Sequence, residues 1–157
     1  MNENKKRVAL EELEPIIREK LNNGGTVQIP ITGSSMLPLL VQGRDSVILS
    51  PANETKIGDI IFYKRDDGHF VLHRIIDKDE NGYILCGDNQ WIKEYGITDR
   101  HIIGIVIEII LDGKAIKVDN EKYLKYCKNW YKLMPIRKPL VLTISKLRAI
   151  KRKMSSR

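Results

Sequence analysis

The chain has 157 residues, 42% of them hydrophobic, which is one domain's worth of sequence with material for a packed core. Two cysteines, Cys86 and Cys127, exclude a disulfide framework and a zinc ligand set, and permit a reducing compartment. The net charge of +7 is divided unevenly, because residues 122–157 hold 12 basic and no acidic side chains while the 121 before them carry 15 basic against 20 acidic; a fold that binds polyanions over its whole surface is excluded, and any anionic partner should meet the tail.

In chain order, Leu10, Leu13, Ile17 and Leu21 recur at helical spacing and predict a helix over 8–21, which Pro15 either kinks or begins and which the AsnAsnGlyGly run at 22–25 stops. The period then changes. TVQIPIT, DSVILS, DIIFYK, FVLHRII, GYILC and HIIGIVIEII are short, β-branched runs separated by Gly, Asp and Asn turns, and the last should form a hairpin with AIKV through residues 112–114. The expected organisation is a helical segment over 1–25, a mostly-β domain over 26–119 and a basic helical tail over 120–157.

In that tail Tyr123, Leu124, Cys127, Trp130 and Tyr131 share one helical face opposite lysines 122, 125, 128 and 132, and a second basic amphipathic segment is expected over 140–154 after Pro135 and Pro139. The longest apolar run, 102–111, is about half the roughly 20 residues of a spanning helix. No apolar stretch follows the basic start MNENKKR. Neither a transmembrane segment nor a signal peptide is expected, so the expected location is cytoplasmic, peripheral to a membrane at most.

Two stretches carry chemistry. TGSSMLPLL (32–40) places Gly33 and two serines before an apolar run. A catalytic serine needs a strand-end turn, a base within reach and amides for the oxyanion, and Gly33 permits the turn; Ser34 and Ser35 are the candidates, although serines also cluster in turns for local hydrogen bonds. In FVLHRII, strand alternation sets Val71, His73 and Ile75 on one face and Phe70, Leu72, Arg74 and Ile76 on the other. His73 is then either a half-buried imidazole bonded to a carbonyl or a general base. His69 and His73 lie about 13 Å apart along a strand rising roughly 3.3 Å per residue, so they cannot share a metal ion, and no metal or cofactor is expected. His69 and His101 are expected to be solvated.

Together the blocks resemble the signal peptidase I superfamily, which includes the self-cleaving SOS-type repressors. TGSSMLP (32–38) is similar to the nucleophile box, with Ser35 at the serine; GDIIFYK (58–64) to the strand box; VLHRII (71–76) to the base box, with His73 where bacterial members usually carry Lys; and CGDNQ (86–90) to the Gly-Asp-Asn box. Histidine at the base position is similar to the endoplasmic-reticulum, archaeal and sporulation-type branch. GRDSVIL (43–49) departs from the pattern by inserting Arg44 before Asp45.

The resemblance implies a mostly-β peptidase fold, to which the helical spacing adds an N-terminal helix and C-terminal basic amphipathic helices; the membrane anchors typical of signal peptidases are not expected here. It further implies a serine endopeptidase in which Ser35 attacks, His73 is the base and Asp88 supports the imidazole, with Glu94 and Asp99 as alternative acids. Gly33, Ser34 and Met36 fall at oxyanion or substrate-binding positions. The implied substrate is the leader or signal segment of a precursor peptide or protein, extended along a strand edge with small side chains near the scissile bond. Autocleavage at Gly24–Gly25 is set aside because a helix stop explains those glycines and the self-cleavers use Lys. The alternative function is an idle peptidase-like module that acts through residues 122–157 on an anionic membrane surface, or, less favoured, on nucleic acid.

Overall fold

The computed structural model describes residues 3–133 and, beyond them, residues 136, 139 and 143; the segment expected over 140–154 lies, residue 143 aside, outside the described residues. Helix α1 (Glu3–Asn22) runs continuously through Pro15, so the proline neither starts nor stops it. Gly24 ends it at a φ of 76°, a left-handed conformation that costs glycine little, and its amide caps the Leu21 carbonyl at 2.8 Å. Ile17 and Leu21 are buried. Polar contacts also fasten the helix: Glu14 bonds Lys64 at 2.7 Å, and Arg18 donates to the Ile102 carbonyl at 3.1 Å.

The strands are β1 (Val27–Pro30), β2 (Ser46–Ser50), β3 (Ile60–Lys64), β4 (Phe70–Asp79), β5 (Gly82–Cys86), β6 (Glu94–Ile97), β7 (Ile102–Leu111) and β8 (Lys114–Lys117), followed by helix α2 (Glu121–Lys132). Among the described residues they form one antiparallel sheet in the order β1-β2-β7-β3-β4-β5-β6, and β8 pairs with the second half of β7. The β7–β8 hairpin turns on Asp112 and Gly113, both at positive φ (49° and 77°), the geometry that a two-residue loop needs to match strand twist. The fold is mostly β, with one helix before and one after the strands in chain order, as the sequence pattern implies.

Alternation along β3 sorts its residues onto two buried faces. Ile60 and Phe62 join a core with Leu40, Leu49 and Val106, whereas Ile61 and Tyr63 join a second with Ile75, Leu85 and Ile102. Each such fully buried aliphatic side chain contributes about 1.5–3 kcal/mol relative to exposure. Ile61 faces His73 in register and Ile60 faces Arg74, so the two neighbouring polar residues of β4 enter opposite faces of the sheet.

Two features depart from the sequence pattern. Strand β6 was not among the expected strands; only four residues long and interrupted by Gly96 at a φ of 74°, it has no apolar alternation to display. His101 is buried rather than solvated: its Nδ1 accepts from the Thr98 amide at 3.0 Å and its Nε2 lies 3.2 Å from Asp66. His69 is exposed beside Asp67.

Candidate active site

Residues 31–45 cross from β1 to β2 and carry Ser35. The loop is fixed from below by Met36 and Leu40, both buried. At its far end Asp45 accepts from the Val41 amide (2.7 Å), the Asp112 amide (3.0 Å) and the Arg44 guanidinium (2.8 and 2.9 Å). The Arg44 hydrogen bond, with those amides, holds the Asp45 carboxyl below its ordinary range. The inserted Arg44 therefore serves as a clamp on the buried acid. Gly33 turns the chain at a φ of 83°.

A second loop holds the serine from above. The Asn89 amide donates to the Ser35 carbonyl at 2.7 Å, and the Asn89 side chain donates to the Ser34 carbonyl at 3.1 Å. The two backbones approach so closely that a Cβ on Gly87 would lie 2.7 Å from the Ser35 oxygen. The Gly-Asp-Asn run thus acts as a bracket: glycine permits the contact and asparagine makes it. The Gly33 amide is already bonded to the Gln42 side chain at 2.9 Å, whereas the Ser34 and Ser35 amides have no partner among the described residues.

His73 is buried on β4, and it lines the same cleft as Ser35. Among the hydrogen bonds of the described residues, none joins the Ser35 hydroxyl to the His73 ring. The cleft has a volume of about 880 Å³. Its apolar end is walled by Leu13 and Ile16 of α1, by β1, and by Phe70 and Leu72. On the other side of Ser35 a shallower depression carries Arg65, Trp91, Lys93 and Glu94. Met36 contributes to the cleft wall while packing in the core.

The acids separate. Asp88 is not brought to His73: its two oxygens take the Arg74 Nε and a terminal nitrogen at 2.9 and 2.8 Å in a fully buried pair. Arg74 points away from His73 because it is the next residue along a strand, and Asp88 accompanies Arg74. Arg74 also donates to the Gly58 carbonyl and to Tyr123 Oη and Cys127 Sγ of α2, and Trp130 donates to the Asp88 carbonyl. Asp99 accepts from Tyr83 at 2.7 Å.

The carboxylate nearest the imidazole is Glu94, delivered by β6, with Oε2 3.7 Å from His73 Nδ1. Tyr63 Oη lies between them, 3.2 Å from Nδ1 and 2.8 Å from Oε2. Arg65 grips the same carboxylate at 2.6 and 2.5 Å. Burial alone would raise the Glu94 carboxyl, but the adjacent His73 ring and the hydrogen bonds from Arg65 and Tyr63 outweigh it and hold the group down at about 2. Burial, followed by the Glu94 charge, pushes the Tyr63 phenol well up, so it keeps its proton.

A β domain with a serine on a braced turn and a histidine on a strand of the same cleft has the architecture of a peptidase-like fold. The chain belongs to the Peptidase S24-like family, whose model matches residues 3–107. That match agrees with the resemblance carried by the nucleophile, strand, base and Gly-Asp-Asn boxes. No curated protein and no solved structure matches the chain. No helix among the described residues is long and apolar enough to cross a membrane.

Proposed function

We propose that the chain is a serine endopeptidase that removes a leader or signal segment from a precursor peptide. The carrying observation is that Ser35 and His73 line one cleft while the Ser35 amide has no partner among the described residues. In this reading Ser35 Oγ attacks the scissile carbonyl and its proton passes to His73 Nε2. The oxyanion that forms takes a hydrogen bond from the Ser35 amide, with Ser34 the second candidate donor. Collapse of the intermediate returns the proton from His73 to the leaving amine, and water repeats the sequence to release the acyl group. Gly33 serves the turn, since its amide is occupied. Asp88 serves the scaffold by holding Arg74 and, through its neighbours Gly87 and Asn89, the serine loop.

The two ends of the cleft suit a substrate with an apolar stretch on one side of the scissile bond and a polar stretch on the other. Leu13 and Ile16 support this reading, because they are exposed apolar side chains on the cleft wall.

The deciding experiment is labelling of the purified chain with a serine-reactive acylating probe, read by intact mass, with Ser35→Ala and His73→Ala alongside. One adduct on the parent chain, absent from both variants, is expected. An adduct that survives Ser35→Ala would remove the assignment. A second reading concerns the tail: lysines 122, 125, 128 and 132 are exposed on α2, which supports contact of this surface with an anionic membrane.

A further inference from the structure

We propose that Tyr63 is a positioning residue that sets the tautomer of His73 and connects it to the Glu94 charge through the chain Nδ1–H···Oη–H···Oε2. The inference rests on the reading of His73 as the general base and supplies the support that Asp88, committed to Arg74, does not give.

The direction of each bond follows from the groups around it. Glu94 is ionised and receives two bonds from Arg65, so it is an acceptor only. At 2.8 Å from Oε2 the Tyr63 hydroxyl donates to the carboxylate, since the charged acceptor competes better for the proton than a neutral ring nitrogen does. The phenol has one proton, so the lone pair of Oη is what remains for Nδ1 at 3.2 Å. Nδ1 must then carry the hydrogen. Nε2 is left unprotonated, as a base requires. The 3.7 Å between Nδ1 and Glu94 is too long for a direct hydrogen bond, which makes the phenol the connecting group.

On this side Tyr63 of β3 and Glu94 of β6 stand beside the ring, and Arg65, just beyond β3, grips Glu94. Tyr63 is fully buried, so its oxygen cannot trade partners with bulk solvent. When Ser35 gives its proton to Nε2, the Nδ1 proton stays on the ring. The positive charge formed there is stabilised across Oη by Glu94. No proton leaves Tyr63 at any step.

The test needs no substrate. In uniformly 15N-labelled protein, long-range proton–nitrogen correlation reports which ring nitrogen of each neutral histidine bears hydrogen, and the chain has three histidines, with His73 assigned by its absence in His73→Ala. The expected result is Nδ1–H for His73 in the parent chain, with Tyr63→Phe shifting the ring toward Nε2–H and Glu94→Gln shifting it in the same direction. An Nε2–H ring in the parent chain, or an unchanged tautomer in a folded Tyr63→Phe, overturns the proposal. The parent measurement stands even if a variant does not fold. In turnover of a cleaved peptide, Tyr63→Phe should lower kcat about tenfold or more with KM unchanged. Full activity in His73→Ala would overturn the base assignment itself, a failure distinct from a wrong tautomer.

Discussion

Asp88 and Glu94 are both acids near the serine loop, and their surroundings give them different work. Asp88 and Arg74 are both buried, with side-chain exposures of 0% and 3%, and each is the principal charge partner of the other. Removing one charge from such a pair strands the other, which costs about 3–5 kcal/mol. Asp88→Asn is therefore expected to lose stability of that order in urea unfolding, while leaving the His73 tautomer unchanged; a stability close to that of the parent would show that the pair does not hold the scaffold. Glu94 contributes differently. Its folded-state value, about 2, lies below the ordinary carboxyl value of 4.5, so the unfolded chain binds the proton more readily. The stability that results is present above about 4.5 and is lost as pH falls toward 2. Glu94→Gln should therefore unfold with a flatter acid limb than the parent over that window, and parallel limbs would show that the native carboxylate is not held down.

At the scale of elements, the serine loop is braced by loop 87–90, and α1 forms a wall of the cleft. Gly87→Ala would place a methyl 2.7 Å from the Ser35 carbonyl oxygen, so one backbone must move. Since displacements of about 1 Å can cost 10²-fold in rate, kcat should fall by a factor of that order with the fold retained. An unchanged kcat would show that the bracket does not position Ser35. The wall makes a complementary prediction: Leu13→Gln with Ile16→Gln replaces exposed residues, at 48% and 60% exposure, and should raise KM for an apolar precursor with little effect on Tm. The legibility of these elements in the sequence differs for physical reasons. β2, β3, β4, β5 and β7 announce themselves because β-branched runs are what half-buried or buried strands require. His73 and Arg74 could be assigned to opposite faces from alternation alone. β6 could not, being a short edge strand with a glycine inside it and no buried stripe. Glu94 was consequently one of three acids, because its place beside Tyr63 depends on β5–β6 pairing across a register shift that no local pattern records. The bracket made by Gly87 and Asn89 was visible as a motif, but its partner, the Ser35 carbonyl, is a contact between loops distant in sequence.

On the scale of the whole molecule, α2 packs against Arg74 of β4 and the loop that follows β5. Its Tyr123 is buried, Tyr123 and Cys127 meet Arg74, and Trp130 meets the Asp88 carbonyl, so much of the apolar face expected from the helical period is already used inside the protein. What α2 leaves outward is its lysines, with Leu124 and Tyr131 half-exposed among them. A chain cut at Glu121 would lose Tyr123, Cys127 and Trp130, uncovering the buried Arg74–Asp88 pair, and so would confuse loss of a membrane contact with loss of the fold. Replacing Lys122, Lys125, Lys128 and Lys132 together by Gln keeps the packed face and removes only the charge. If this surface meets anionic lipid, each lysine contributes about 1 kcal/mol, and the substituted full chain should partition roughly 10²–10³-fold less onto phosphatidylserine-containing vesicles in flotation, with no difference on neutral vesicles. Equal recovery of the two chains would remove the membrane reading of α2. Salt-sensitive retention on nucleic acid, lowered by the same four substitutions while lipid binding is absent, would transfer the surface to a polyanion partner.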